Sequence, residues 1–258
     1  MGTQVDKAVL FRSLHAGAQP LVLYNAWDPG SARAVAESGA HAIATGSWSV
    51  AAAHGYADGE RMPLALALDN LARIVAATTL PVTVDLEGGY GETAEEVGVT
   101  VARSIEAGAV GCNLEDSHPA GGGLRGIADQ AARLAQARAA AETAGVPLFV
   151  NARTDVFLQS PPDAHDAAMV ERALERARAY AEAGANGLFV PGLADDALIA
   201  MLVQASPLPV NVMAGPGTPS LSRLAALRVA RVSHGPGPYL AAMGALAQAA
   251  RQAAAIDA

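Results

Sequence analysis

Short apolar, β-rich runs alternate along the chain with longer alanine-rich stretches. The runs fall at 21–25, 42–45, 82–86, 110–114, 148–152, 187–190, 210–213 and 230–233. Most are continuously apolar, the pattern of parallel strands covered on both faces. The stretches between them carry helix signals. Asp28-Pro29 reads as an N-cap followed by proline at the first helical position. Gly39, Gly108, Gly145 and Gly184 stand where a helix stops before the next strand. Glu37-Ser38-Gly39-Ala40, Glu106-Ala107-Gly108-Ala109 and Glu182-Ala183-Gly184-Ala185 repeat one helix end, turn and strand entry, the mark of a recurring βα unit.

Eight such units in 258 residues predict an α/β fold, a (β/α)₈ TIM-type barrel. No linker or shift in composition divides the chain, so residues 1–258 are expected to form one domain, with an extra helix at 3–16 ahead of the barrel. A doubly wound open sheet is the competing arrangement. It lacks support, because no Gly-x-Gly-x-x-Gly turn follows the first strand. A phosphate-binding Gly-x-x-x-x-Gly-Lys-Ser/Thr loop is also absent.

Composition narrows the classes. Hydrophobic residues make up 52% and aromatics 4%, so the core is aliphatic and disorder is excluded. Lys and Arg number 17 against 25 Asp and Glu, a net charge of −8, and no basic run offers a nucleic acid or an anionic membrane a surface. A single cysteine excludes a disulfide framework and a cysteine-based zinc site. The first eleven residues carry charge and no apolar run, so no signal peptide is read there. No stretch is apolar enough to span a bilayer, and a cytoplasmic protein is expected.

Expensive polar residues gather where the strands end, the face on which barrel active sites lie. These ends read Tyr24-Asn25-Ala26-Trp27-Asp28, Thr45-Gly46-Ser47, Asp85-Leu86-Glu87, Asn113-Leu114-Glu115-Asp116 and Asn151-Ala152-Arg153-Thr154-Asp155; Asn211 lies on the seventh strand and His234 follows the eighth. Alternation puts Asp85 and Glu87 on one face and Asn113 and Glu115 on the face of the next strand. Asp85, Glu87 and Glu115 converging on one mouth would repel each other without a cation, and an all-oxygen set suits Mg²⁺ or Mn²⁺. The competing reading has these carboxylates capping helices or pairing with arginines. Arg153 can grip a substrate carboxylate or pair with Glu115 or Asp155. Thr45, Gly46, Ser47 and Asn211 are candidate substrate contacts. Cys112 is out of step with Asn113 and Glu115, so it faces the helix layer.

Asp85-x-Glu87-x-Gly89-Tyr90-Gly91, Asn113-Leu114-Glu115-Asp116 and Asn151-Ala152-Arg153-Thr154-Asp155, in this order, resemble the phosphoenolpyruvate mutase/isocitrate lyase superfamily. Thr45-Gly46-Ser47, Gly55-Tyr56-Ala57-Asp58 and Asp28-x-x-Ser31-Ala32 are similar to its other landmarks. The resemblance implies a barrel whose eighth helix is swapped between subunits of a homodimer or homotetramer. It implies Mg²⁺ held directly at Asp85, with Glu87 and Glu115 acting through metal-bound water. It also implies that the Thr45–Ser47 turn holds a substrate carboxylate and Arg153 contacts substrate oxygens. Members make or break C–C or P–C bonds in small 2-oxo or 2-hydroxy acids through enolates.

The departures narrow the activity. Isocitrate-type lyases carry a Lys-Lys/Arg-Cys-Gly-His loop after the fourth strand; this chain has Ser117-His118-Pro119-Ala120-Gly121-Gly122-Gly123-Leu124-Arg125, with no cysteine. The mutase's lid lysine and asparagine are missing as well. His234 resembles a histidine of the oxaloacetate decarboxylase branch, whose tyrosine after the seventh strand is not found in Val212-Met213-Ala214-Gly215. The expected activity is therefore Mg²⁺-dependent C–C cleavage or decarboxylation of a small 2-oxo or 2-hydroxy acid. Asp58 and His234 are candidates for proton handling, and Arg153 and Glu115 for stabilising the reacting group. Phosphonomutase or phosphonopyruvate hydrolase chemistry is the alternative, and a non-catalytic acid-binding barrel is the alternative of another class.

Overall fold

The computed structural model describes residues 2–119 and 122–254. Ala120 and Gly121 of the loop after the fourth strand, and residues 255–258, lie outside the described residues. The strands are β1 (Leu21–Leu23), β2 (Ile43–Ala44), β3 (Val82–Asp85), β4 (Gly111–Glu115), β5 (Phe149–Arg153), β6 (Gly187–Val190), β7 (Val210–Met213) and β8 (Arg231–Ser233). The helices are α1 (Gln4–Leu14), α2 (Pro29–Glu37), α3 (Ser47–Ala53), α4 (Leu64–Ala76), α5 (Ala94–Glu106), α6 (Ile127–Thr143), α7 (Ala167–Glu182), α8 (Asp196–Ala205), α9 (Leu221–Ala226) and α10 (Gly237–Ala254).

All strand pairs are parallel, in the order β1-β8-β7-β6-β5-β4-β3-β2. A parallel bridge between Ala26 and Thr45 joins the two outer strands, so the sheet is a nearly closed (β/α)₈ barrel and not an open sheet. Among the described residues, no helix is long and apolar enough to cross a membrane.

The expectation of strands apolar on both faces needs correction. Val84, Cys112, Leu114, Val150, Leu188 and Val212 are buried, and alternation turns them toward the helices. The inner face is largely polar. Asp85 stands opposite Asn113, Asn113 opposite Asn151, Glu115 opposite Arg153, and Asn211 opposite Arg231. Room for these groups comes from glycine. A Cβ on Gly187 would lie 2.7 Å from Asn151 Oδ1 and 2.9 Å from the Phe149 ring. Any other residue there would push the Asn151 amide out of the floor.

The bottom of the barrel is closed by α1. Thr3 caps it through a reciprocal box with Asp6. Phe11, fully buried, meets the inward Phe149 edge-on at 5.7 Å, and His15 stacks on Phe149 at 3.9 Å. At the other end, Asp28 caps α2 by accepting from the Ser31 N–H at 2.7 Å, with Pro29 in the first turn. The last helix, α10, is barely covered. Pro238 is its one buried residue among those described, while Leu240 and Leu246 are 53% and 62% exposed. Trp27 and Trp48 hold its first turn through Tyr239, at 5.2 and 5.9 Å.

Candidate active site

A cavity of about 160 Å³ opens at the C-terminal ends of the strands. Gly46, Ser47, Asp58, Asp85 and Arg153 line it, five of the residues singled out from the sequence. Asn25, Asn113, Phe189 and Ser233 line it too and were not singled out as site residues.

Asn25 locks the seam of the barrel. Its Nδ2 donates to the Thr45 carbonyl at 2.8 Å, and its Oδ1 accepts from the His234 and Gly235 N–H groups at 2.9 and 3.0 Å. Thr45 Oγ1 accepts from the Asp85 N–H at 3.0 Å, and Asp85 Oδ2 accepts from the Ser47 N–H at 3.2 Å. Thr45 is thus a brace for Asp85 and not part of the cavity wall.

The same-face argument for Asp85 and Glu87 stops where β3 stops, at Asp85. Glu87 has a φ of 53°, a left-handed backbone that a non-glycine residue takes only when its surroundings enforce it. Those surroundings hold its carboxylate. Oε2 accepts from the Gly59 and Glu60 N–H groups at 2.8 and 2.6 Å, and Oε1 accepts from Tyr90 Oη at 2.9 Å. Burial, then the charge of Asp58, push the Glu87 carboxyl up to about 7. Burial, then Asp85, push Asp58 up as well. Asp58, Asp85 and Glu87 therefore form an acidic cluster with more charge than its donors neutralise.

Arg153 faces this cluster. Its Nη1 pairs with Glu115 Oε2 at 2.8 Å, and its Nε and Nη2 fork onto Asp155 at 2.6 and 3.0 Å. Ser117 Oγ donates to Asp155 Oδ2 at 2.7 Å and steadies the fork. Burial works against the guanidinium charge, but Glu115 and Asp155 outweigh it and hold its pKa above the ordinary value. Burial pushes Glu115 upward, opposed by Arg153. Both carboxylate pairings weighed for Arg153 in the sequence are present together.

Two candidates are placed elsewhere. Asn211 is 1% exposed and lies beneath the cavity floor, its Oδ1 accepting from Ser233 Oγ at 3.2 Å. The His234 ring packs on Tyr24 at 5.0 Å, outside the lining residues, and burial lowers its pKa. His118 lines a separate outer groove with Glu60 and Tyr90. Cys112 faces the helices as expected, and burial pushes its thiol up to about 12.

A hard divalent cation fits this donor set. Among the described residues, no three His, Cys, Asp or Glu side chains close around one point. The expected convergence of Asp85, Glu87 and Glu115 on one point is thus not seen; Mg²⁺, which keeps several waters and takes one or two carboxylates, is the cation that the remaining donors would fit. Asp85 and Asp58 are the carboxylates that line the cavity; Glu87 and Glu115 are not among its lining residues.

The sequence profile of the phosphoenolpyruvate phosphomutase family matches residues 11–254. The crystal structure of a candidate phosphonomutase from Burkholderia cenocepacia J2315 is similar, with 58% identity, 97% of this chain and 100% of that chain covered, and a TM-score of 0.95. An uncharacterised protein of Mycobacterium tuberculosis is 37% identical over 243 residues, 93% of this chain and 87% of its own. An oxaloacetate decarboxylase of a Bradyrhizobium species is 32% identical over 182 residues, 69% of this chain and 60% of its own. The chain belongs to the phosphoenolpyruvate phosphomutase family, within the phosphoenolpyruvate mutase/isocitrate lyase superfamily, and is an enzyme of that lyase and mutase group.

Proposed function

We propose that the enzyme uses Mg²⁺ (or Mn²⁺) to cleave a C–C bond in, or decarboxylate, a small 2-oxo or 2-hydroxy acid. One observation carries this reading: an acidic cluster with excess charge faces a doubly paired guanidinium across a cavity of about 160 Å³. A void of about 150 Å³ holds a benzene-sized ligand, so the space suits a small acid and not a bulky one.

Asp85 would hold the cation, with Glu87 and Glu115 supporting it. The cation, when bound, supplies Lewis-acid stabilisation of negative charge on the 2-oxygen. The Gly46–Ser47 turn takes the substrate carboxylate. Arg153, held by Glu115 and Asp155, meets the charge that develops on the 2-oxygen as the bond breaks. Its geometry is fixed beforehand, so little reorganisation is needed at that moment. Asp58, which lines the cavity beside Asp85, would supply the proton to the carbon left by the departing group; burial and the Asp85 charge push its carboxyl upward, the direction a proton donor needs. His234 is less suited to that task, because its ring lies on Tyr24. A thiol acid/base is not open to this chain. Its single cysteine, Cys112, faces the helix layer.

The 58% identity to a candidate phosphonomutase favours a second reading, P–C bond chemistry at the same site. One assay separates the two. With Mg²⁺ present, decarboxylation turns oxaloacetate into pyruvate and carbon dioxide. P–C chemistry turns phosphonopyruvate into phosphoenolpyruvate, or into pyruvate and phosphate. Turnover of phosphonopyruvate without turnover of oxaloacetate or any 2-hydroxy acid would reject the first reading.

A further inference from the structure

Arg231 is 1% exposed, yet among the described residues no carboxylate pairs with it. An unpaired guanidinium inside a barrel is expensive, and its position is informative. Burial pulls it down to about 9, which still leaves it charged at neutral pH. A guanidinium donates at every N–H and accepts nowhere, so a polar atom bonded to it must be an acceptor; its Nη1 is buried with no acceptor among the described residues.

Two chains of hydrogen bonds start from it. Arg231 Nη2 donates to Asn113 Oδ1 at 3.4 Å, the same oxygen that accepts from Asn151 Nδ2 at 2.9 Å. Turning the Asn113 amide over would set its NH₂ group against two donors. The Asn113 Nδ2 group is therefore left to the cavity, which Asn113 lines. It is not among the sealed polar atoms that lack partners. In the second chain, Arg231 Nε donates to Ser233 Oγ at 3.3 Å, so Ser233 must pass its own hydrogen on, to Asn211 Oδ1 at 3.2 Å.

We propose that Arg231 is a positioning residue that sets the polarity of the cavity floor, so that Asn113 presents its Nδ2 hydrogens to an oxygen acceptor of the bound acid. Asn113 is then a specificity residue beside Asp85 and Arg153. A carbonyl, carboxylate or hydroxyl oxygen satisfies the floor, whereas an ammonium at that point meets another donor. The site accordingly takes 2-oxo and 2-hydroxy acids and refuses 2-amino acids of the same size. The ligand half of this inference rests on the small-acid reading above; the orientation half does not.

The test has two arms. In the unliganded protein, NMR water-exchange measurements on the side-chain amides should show Asn113 exchanging rapidly and Asn151 protected. The reverse order overturns the orientation whatever the substrate. In the second arm, oxalate is titrated calorimetrically at saturating Mg²⁺. Asn113→Asp and Arg231→Met should each weaken oxalate at least tenfold, and Arg231→Lys, which keeps a pure donor, should stay within about threefold of wild type. Mg²⁺ affinity, measured alone, should hold in Arg231→Met, which separates positioning from general collapse. Asn113→Asp carries the arm if Arg231→Met does not fold. Unchanged oxalate affinity in the folded variants overturns the specificity role. Wild-type protein that ignores oxalate counts against the small-acid reading, and the exchange arm still decides the orientation.

Discussion

His15, at the end of the N-terminal helix, gives a quantitative test of how the barrel bottom is packed. The ring is 7% exposed, stacks on Phe149, and donates from Nδ1 to the Phe11 carbonyl at 2.8 Å; its Nε2 is buried and has no partner among the described residues. Burial, then the Arg231 charge, lower its pKa from 6.5 to about 3, opposed by the Phe11 hydrogen bond. Between these values the unfolded chain binds a proton that the folded chain refuses. This contribution to stability is therefore complete above 6.5 and is lost progressively as pH falls toward about 3. Each unit is worth about 1.4 kcal/mol, so lowering pH from 7 to 5 should cost about 2 kcal/mol through His15 alone. His15→Phe keeps an aromatic ring against Phe149 but has nothing to titrate. It should start about 1 kcal/mol less stable at pH 7, from the lost hydrogen bond, and fall less steeply toward pH 5. Urea unfolding of both proteins at the two pH values measures the difference. Equal losses in wild type and His15→Phe would refute the buried, neutral imidazole.

Asp85→Ala should abolish Mg²⁺ binding in calorimetry while leaving the far-UV circular dichroism of the barrel unchanged. The bare surface of α10, with Leu240 and Leu246 exposed, should be covered by a second copy of the chain, giving a homo-oligomer at micromolar concentration in light scattering; a monomer there would contradict it. The Cys112 thiol, fully buried and pushed up to about 12, should resist thiol reagents in the native protein and react on unfolding, and Cys112→Ser should leave turnover within a few-fold.

The barrel was legible because α2, α5, α6 and α7 end in glycine turns and the runs between helices are apolar toward the helices. The eight runs overlap the eight strands, with ends differing by one or two residues where a side chain such as Asn25 leaves the ladder. The split of the segment after β2 into α3 and α4 is marked by Gly55, at φ 80°, but this glycine leads into another helix and not into a strand, so the recurring βα unit does not single it out. Asp85 and Arg153 were legible from their strand-end positions. Glu87 was placed by alternation, but β3 ends before it and a left-handed residue sets its direction, which nothing in a glutamate announces. The polar floor was half-legible. Asn113, Asn151, Arg231 and Ser233 occupy alternating positions, but only the register between strands reveals that they meet. His234 lies one residue past β8, where the chain turns and alternation no longer directs the ring.

The central claim is that a divalent cation on Asp85 and a small acid held by Arg153 share one cavity. Calorimetric titration of oxalate with Mg²⁺ and with a chelator tests it most directly. The account predicts binding at one site per chain when Mg²⁺ is present, at least a hundredfold weaker binding in the chelator, and loss of binding in Asp85→Ala. Oxalate affinity that is the same with and without the metal, or retained in Asp85→Ala, would contradict it.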